Sequence, residues 1–165
     1  MARNAKTEVA SAYESGLLDE PNLRILNELG REARLPLAEL GRRVNMSAPA
    51  VAERVQRLEQ AGVIRGYHAD IDPRAVGYPI AALVRIRPAV SRQLHKIPEL
   101  ARETPEVVEC HRVTGEDCFV LKLHLRSIED LEDVLDRFVL LGQTTTSIIH
   151  SSPLPRRGVP LTRPG

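Results

Sequence analysis

Two helical patterns joined by a tight turn, over residues 37–60, constrain the fold of this chain more than any other feature. In the first pattern Leu37, Leu40 and Val44 recur at intervals of three and four residues, so they share one face of a helix. Ser47 then suits the N-cap of a second helix, because its hydroxyl can accept a bond from a free backbone N–H. The spacing therefore predicts a helix-turn-helix whose second helix begins at Ser47 and fills the rest of that range.

The second helix is expected to have one apolar face and one polar, basic face. Val51, Val55 and Leu58 fall at i, i+4 and i+7 and face inward. A pair of short helices of this kind is typical of DNA-binding proteins, whose second helix enters the major groove with its N-terminus first. The segment from Arg42 to Arg65 carries five arginines against two acids, a net charge of +3 in a chain whose total is +1. The positive charge is therefore concentrated where DNA would bind.

The polar face predicts two kinds of contact with double-stranded DNA. We expect base readout to rest mainly on Arg54 and Arg57, because guanidinium groups form bidentate bonds with guanine edges. The residues expected to face the major groove are Ser47, Ala48, Pro49, Ala50, Glu53, Arg54 and Arg57. Those expected to contact phosphates are Arg42, Arg43, Arg65 and His68. The alternative is a helical hairpin whose charged face is only solvated.

The flanking sequence completes a small winged domain. Upstream, Leu23, Leu26 and Leu29 form the apolar face of a third helix, with acids and a proline at its start. Downstream, the β-prone run of residues 63–69 is broken by Gly66 and predicts a wing. Glycine and proline near residue 75 then mark a domain boundary. We therefore assign residues 1–16 to a flexible N-terminal tail, 17–66 to a winged helix-turn-helix domain and 67–78 to a linker strand.

The second half of the chain changes to an alternation of strands and helices. Its pattern predicts strands over residues 80–87, 107–114, 118–126 and 144–151, and helices over residues 90–103 and between Ser127 and Gly142. This order is that of the ferredoxin-like arrangement, an antiparallel sheet with both helices on one face. The predicted fold class is therefore α+β: a winged helix-turn-helix, then a ferredoxin-like βαββαβ domain over residues 79–152, then a C-terminal tail over residues 153–165.

Helices cover only one face of such a sheet, and an apolar second face needs a partner. The pattern is expected to place Val84, Ile86, Val108 and Val120 on this uncovered face. The simplest partner is the same face of a second copy, because a two-fold interface uses one patch twice. A homodimer would also set two recognition helices to enter successive major grooves about 34 Å apart. The alternative is a monomer with a half-polar sheet surface.

Composition argues against several classes of protein. No apolar run approaches the length of a membrane span and two cysteines form no disulfide framework, so we expect a cytoplasmic protein with no membrane contact. Aromatic residues make up 3% of the chain, which does not favour stacking on single-stranded bases. The sequence has no nucleophile elbow, glycine-rich phosphate loop or framed pair of carboxylates, so we expect neither an enzyme nor a cofactor.

A metal-sensing repressor is the alternative function. Cys110, His111, Cys118, His124 and His150 offer ligands that suit zinc or another transition metal. However, Cys110 and His111 are neighbours on one predicted strand and point to opposite faces, and the chain has no CxxC or HxxxH pair. Histidines that are satisfied within their strands are the simpler interpretation.

Three stretches carry a resemblance to a known family: RVQRLEQAGVIRGYHADIDP, VTGEDCFVLKLHLRSIEDLEDVLDRF and GQTTTSII. With the helices that precede them, they resemble the Lrp/AsnC family of bacterial and archaeal transcription regulators over about residues 17–152. The resemblance implies a winged helix domain, a ferredoxin-like ligand-sensing domain, and homodimers that assemble into larger rings such as octamers. It also implies small effectors, usually amino acids, bound between subunits.

Residue chemistry supports an effector site beside the predicted hairpin turn. An amino acid carries an ammonium and a carboxylate on one carbon, so its pocket needs acceptors and donors together. Glu116 and Asp117 can bind the ammonium, Gly115 allows close approach of the backbone, and a threonine run can donate to the carboxylate. The alternative is ordinary turn and strand chemistry. The predicted site comprises Val113, Thr114, Gly115, Glu116, Asp117 and Cys118, with Gln143, Thr144, Thr145, Thr146 and Ser147 from a neighbouring subunit.

Overall fold

The computed structural model describes residues 16–154 and 156–161. The chain divides into two compact units, with a break between Ala69 and Asp70, and the segment that begins at Arg156 belongs to the first unit. The predicted N-terminal tail, apart from Gly16, lies outside the described residues, and so does part of the predicted C-terminal tail. No helix of the described part of the chain is long and apolar enough to cross a membrane.

The first unit is built on three helices, α1 (Glu20–Arg31), α2 (Leu37–Val44) and α3 (Ala48–Gln60). Asp19 and Ser47 cap α1 and α3 by accepting bonds from backbone N–H groups three residues further on. The apolar faces meet in one core, whose fully buried members include Ile25, Leu40, Val51 and Leu58. The predicted helix-turn-helix and its third helix are confirmed.

The turn between α2 and α3 is tight because two residues permit it. Asn45 adopts the left-handed conformation, with φ 57°, and so ends α2. Gly41 lies where the chain passes closely over α2: a Cβ added there would lie 2.6 Å from the carbonyl oxygen of Met46. The backbone N–H of Met46 donates to the carbonyl of Gly41 over 2.8 Å, which holds the turn against the helix. A side chain at position 41 would therefore push the two helices apart.

The segment after α3 is a loop, so the predicted strands over residues 63–69 and 67–78 are wrong. Its start is fixed to α3, because the N–H groups of Val63 and Ile64 both donate to the carbonyl of Leu58. Gly66 has φ 155°, and Pro73 opens a turn closed by a bond from the Tyr78 N–H. A strand exists only beside a second strand, and no described residue supplies one here. β-propensity alone therefore misled the prediction.

The second unit follows the predicted order of strands and helices. Its elements are β1 (Ile80–Pro88), α4 (Lys96–Arg102), β2 (Val107–Arg112), β3 (Phe119–Leu125), α5 (Ile128–Val139) and β4 (Gly142–Ile148). The strands form one antiparallel sheet in the order β2-β3-β1-β4. This is the ferredoxin-like arrangement, and the α+β fold class is confirmed.

The first helix of this unit is shorter than predicted. In place of one helix over residues 90–103, a single 3-10 turn (Ser91–Gln93) precedes α4. Pro98 explains the difference, because a proline has no N–H to give to a preceding turn and is tolerated only in the first turn of a helix. α4 therefore begins two residues before Pro98.

The uncovered face of the sheet is a mixed surface of charged and apolar side chains, and the prediction that Val84 and Ile86 lie on it is wrong. Val84 and Ile86 are fully buried in the core between sheet and helices, with Leu121 and Phe138. Because side chains alternate along a strand, their neighbours Leu83, Arg85 and Arg87 lie on the uncovered face and are exposed. Val108 lies at an irregularity in the β2–β3 pairing and is exposed. Val120 is half-buried and paired with Arg85, so it lies on the uncovered face, as predicted.

Candidate DNA-binding and effector sites

α3 presents the start of its polar face to solvent. Its buried side is Val51, Val55 and Leu58, and Ser47, Pro49, Glu53 and Arg57 of the predicted groove face are exposed, with Ala48 and Ala50 half-buried. The Ser47 hydroxyl accepts from the Ala50 N–H over 3.4 Å and so anchors the end of the helix that would enter the groove. The first turn is small and free of large side chains. A duplex could therefore approach the backbone closely at this end.

Arg54 does not belong to that exposed face. Its guanidinium Nη1 donates to both carboxylate oxygens of Asp19, over 3.1 and 2.8 Å, and to the side-chain oxygen of Asn22 over 3.0 Å. Asn22 is itself buried and donates to the carbonyl of Leu17 over 2.6 Å. Arg54 is therefore a tie between α3 and the start of α1, and its position does not support the prediction that it reads bases. The sequence interpretation placed Arg54 on the side of α3 opposite the buried residues, whereas in the structure it adjoins them and is half-buried.

Arg57 keeps an exposed position on the outer face of α3. It forms an ion pair with Glu53 one turn earlier, and 59% of its side chain is accessible. Gln56 and Gln60 are also exposed on this helix, and the sequence interpretation did not name them. Their signal was present in the periodicity, because both fall on the side of the helix opposite Val51. Arg57 is the arginine of α3 that remains accessible to a base edge.

The two arginines of α2 are held by acids of the same unit. Arg43 donates to Glu28 over 3.0 Å, to Glu39 over 3.1 Å and to Glu32 over 3.3 Å. The bonds to Glu28 and Glu39 are the main reason that the pKa of Arg43 is raised above its ordinary value. Arg42 forms an ion pair with Glu39. Both side chains thus form ion pairs with acids of the first unit. The sequence interpretation, which assigned them to phosphate contacts, did not predict these ion pairs.

Arg65 and His68 lie in the loop after α3 and are exposed, as a phosphate contact requires. Between them, the Tyr67 hydroxyl donates to the carboxylate of Glu59 over 2.8 Å. Burial and this bond raise the pKa of Tyr67 to about 12. The bond ties the loop that contains Arg65 and His68 to the last turn of α3.

In the second unit, the predicted turn of residues 113–118 joins β2 to β3. The Val113 N–H donates to the Cys118 carbonyl over 2.9 Å, and Gly115 has φ 111°, a conformation that suits glycine. The two acids of the turn reach back over the sheet to β1. Glu116 forms an ion pair with Arg87, and Asp117 lies 3.6 Å from Arg85.

β1 brings the turn and the predicted residues of β4 to one surface within a single chain. Arg87 is paired across the sheet with Gln143, and Arg85 with Thr145. Gln143, Thr145 and Ser147 therefore share the uncovered face with the two arginines. Thr144 and Thr146 pair with Ile86 and Val84 and belong to the helix-covered side. The five predicted effector residues of β4 therefore lie on two different faces of the sheet. The sequence interpretation did not name Arg85 and Arg87, although the alternation in IAALVRIR already placed them on one face.

The residues proposed for a metal do not come together. Cys110 borders a cleft with Leu94 and His95 on the helix side, and burial raises the pKa of its thiol. On the other face, His111 bonds to Glu109 over 3.1 Å. Within residues 16–154 and 156–161, no group of three His, Cys, Asp or Glu side chains is arranged to hold a metal ion.

Comparison with family models gives a match in each half of the chain. Residues 18–65 match a family described as winged helix-turn-helix DNA-binding, and residues 81–159 match one described as Lrp/AsnC ligand binding domain. Two curated relatives are also similar. The HTH-type transcriptional regulator LrpC of Bacillus subtilis is 32% identical over 81% of this chain and 92% of its own. The HTH-type transcriptional regulator LrpA of Mycobacterium tuberculosis is 39% identical over 73% of this chain and 80% of its own.

A solved structure is similar over almost its whole length. The feast or famine regulatory protein Rv3291c from M. tuberculosis, complexed with L-methionine, superposes with a TM-score of 0.81 and 36% identity, covering 87% of this chain and 99% of its own. B. subtilis LrpC superposes with a TM-score of 0.77 and 31% identity, covering 81% of this chain and 95% of its own.

Proposed function

Since the chain belongs to the Lrp/AsnC family of DNA-binding transcriptional regulators, we propose that an amino acid bound to its second unit modulates its DNA binding. The observation that carries this proposal is the double ion pair beside the hairpin turn, Arg87 with Glu116 and Arg85 with Asp117. Two cations and two anions lie there on one exposed surface. A relative 36% identical to this chain was solved in complex with L-methionine, which supports an amino acid as the ligand.

The arrangement suits a zwitterion. A carboxylate can pair with Arg85 or Arg87 in a bidentate manner, and an ammonium can pair with Glu116 or Asp117. The four groups pair with one another in the structure, and all except Asp117 keep about half or more of the side chain accessible. A ligand would therefore exchange internal ion pairs for its own, and the turn would move with Glu116. Gln143 and Thr145 lie beside the arginines and can add neutral hydrogen bonds.

On DNA, we place the start of α3 in the major groove. Ser47, Ala48, Pro49, Ala50 and Glu53 would line the groove, and Arg57 would read a base edge. Arg65 and His68 would contact phosphates. Arg42 and Arg43 would reach a phosphate only by leaving the acids that bind them, so we assign them a smaller share of the contact.

We also propose that the chain acts as a homodimer that assembles into larger rings such as octamers. Two recognition helices about 34 Å apart would then enter successive major grooves of one duplex. The uncovered sheet face still contains Leu83 and Val120, but its charged residues make it a mixed surface. Light scattering coupled to size-exclusion chromatography would measure the assembly.

Isothermal titration calorimetry against the twenty amino acids tests the effector proposal. At least one amino acid should bind, and Asp117→Ala should weaken that binding because the ammonium loses its less exposed acceptor. Glu132→Gln removes an acid from the exposed surface of α5 and serves as the matched control. Binding that survives Asp117→Ala unchanged, or the absence of any amino-acid binding, would show that the regulator senses a different compound or senses it elsewhere.

A further inference from the structure

The arginines of the first unit differ in whether acids already bind them. Those on the three helices are engaged: Arg24 by Glu20, Arg31 by Glu28, Arg42 by Glu39, Arg43 by three acids, Arg54 by Asp19 and Arg57 by Glu53. Within the described part of the unit, Arg34, Arg65, Arg156 and Arg157 form no ion pair with another described residue. The described arginines that lack an ion pair therefore lie outside the three helices, in loops and in the segment that begins at Arg156.

That segment comes from the far end of the chain but lies against the DNA-binding unit. The residues from Arg156 onward belong to the first compact unit. Arg156 borders the same cleft of about 470 Å³ as Arg65, Gly66 and His68. Arg156 and Arg157 are both exposed. Arg65, Arg156 and His68 thus form a cluster around one cleft at the loop that follows α3, and Arg157 is the next residue along the chain.

This loop is attached to α3, the predicted recognition helix. The N–H groups of Val63 and Ile64 donate to the carbonyl of Leu58 over 2.9 and 3.1 Å, and Tyr67 bonds to Glu59. A duplex that receives α3 in its major groove therefore meets the loop at a fixed position, on the phosphates that flank the groove. Any cation packed beside the loop is brought to the same stretch of backbone.

We propose that residues 156–161 form part of the DNA-binding surface, with Arg156 and Arg157 contacting phosphates beside Arg65. The inference rests on the DNA-binding function of the family and extends the contact surface to the C-terminal segment. The chain has a net charge of only +1, so a polyanion must be bound by a local patch of unpaired cations, and this cluster is such a patch. Phosphate contacts carry no sequence information, so the segment should strengthen binding to every duplex alike.

The salt dependence of DNA binding tests this inference. The Arg156→Ala/Arg157→Ala double variant of the full chain would be titrated with an operator duplex and with a duplex of scrambled sequence, across a salt series. Each lost phosphate contact should flatten the slope of log K against log salt by about 0.9, so the double variant should lose about 1.8 for each subunit that contacts the duplex, on both duplexes. Arg156→Lys/Arg157→Lys keeps both charges and should retain most of the slope.

The matched control is Arg102→Ala/Arg137→Ala, which removes two exposed arginines from the second unit, neither of which forms an ion pair with another described residue. Circular dichroism would verify that all variants fold as the wild type does. If the double variant has the wild-type slope, or if the control loses as much slope as it does, the segment is not part of the DNA surface. If the wild type binds DNA and the double variant keeps the wild-type slope, only this inference is contradicted. If the wild type binds neither duplex, both this inference and the proposed function are contradicted.

Discussion

The guanidinium of Arg54 binds the carboxylate of Asp19 through both oxygens, across 35 residues of sequence. Asp19 at the same time caps α1 by accepting from the Asn22 N–H over 2.9 Å. One carboxylate therefore stabilises the start of α1 and holds α3 against it. The orientation of the recognition helix depends on this connection as well as on the apolar core.

We expect Arg54→Ala to act on stability and on all DNA sequences alike. The loss of a half-buried, charge-assisted contact should lower the free energy of unfolding by about 1–2 kcal/mol. Affinity for operator and scrambled duplexes should fall together, because the helix is misplaced and no base contact is lost. Thermal denaturation and competition binding would measure the two effects. Unchanged stability with a relaxed sequence preference would instead show that Arg54 reads bases.

Arg57→Ala should have the opposite signature. Its side chain lies on the exposed face of α3, so folding should be little affected, whereas operator affinity should fall by about 1–3 kcal/mol with relaxed sequence preference. Arg24→Ala, which removes an exposed arginine from a similar ion pair on α1, is the matched control. Selection of bound fragments from a random library would report the change. A variant that keeps the wild-type preference would exclude Arg57 from base readout.

Two glycines of the helical unit should respond oppositely to alanine. At Gly41 the added Cβ meets the Met46 carbonyl oxygen at 2.6 Å, so Gly41→Ala should destabilise the unit by about 1–3 kcal/mol through overpacking. At Gly30, inside α1, nothing lies within 4 Å of an added Cβ, and alanine should stabilise by about 0.5–1 kcal/mol through helix propensity. Chemical denaturation of both variants checks the pair. Equal effects would mean that the turn can relax.

Glu109 should make stability depend on acid pH. Its bonds to His111 and Lys122 hold the pKa of the carboxyl below its ordinary value of 4.5. A depressed pKa contributes stability that is present above the unfolded value and is lost as the pH falls through the folded pKa. Glu109→Gln should therefore be less stable than wild type at neutral pH, and the difference should vanish in acid. Melting curves of Glu109→Gln and wild type over a pH series would measure this difference, with Glu132→Gln as the control. A difference in stability that does not change with pH would show that the ion pairs of Glu109 do not stabilise the fold.

The two faces of β4 allow a sharp test of the effector surface. Thr145 lies beside Arg85 on the uncovered face, whereas Thr146 is paired with the buried Val84. Thr145→Val should weaken amino-acid binding severalfold, and Thr146→Val, an equally conservative change, should not. Calorimetry with whichever amino acid binds wild type decides between them. A loss confined to Thr146→Val would place the ligand on the helix side of the sheet.

Local signals in the sequence determined the helices and the order of elements. Asp19 and Ser47 cap their helices through partners three residues away, and the alternation of Phe119, Leu121 and Leu123 marks a strand with one buried face. Such features depend on hydrogen bonds and side-chain directions within a few residues, which the order of residues specifies directly. The family resemblance rested on the same local stretches.

Only the tertiary structure decided which distant groups meet. Arg54 binds Asp19, and Arg87 binds Glu116 from 29 residues away, and neither pairing follows from periodicity. The face occupied by Val84 depends on strand register, where a shift of one residue exchanges buried and exposed side chains. The loop after α3 has strand-forming residues, but no strand of residues 16–154 or 156–161 lies beside it. Contacts between residues far apart in sequence depend on how the packed helices and strands are oriented. This orientation is set by the whole core, so no single segment of sequence specifies it.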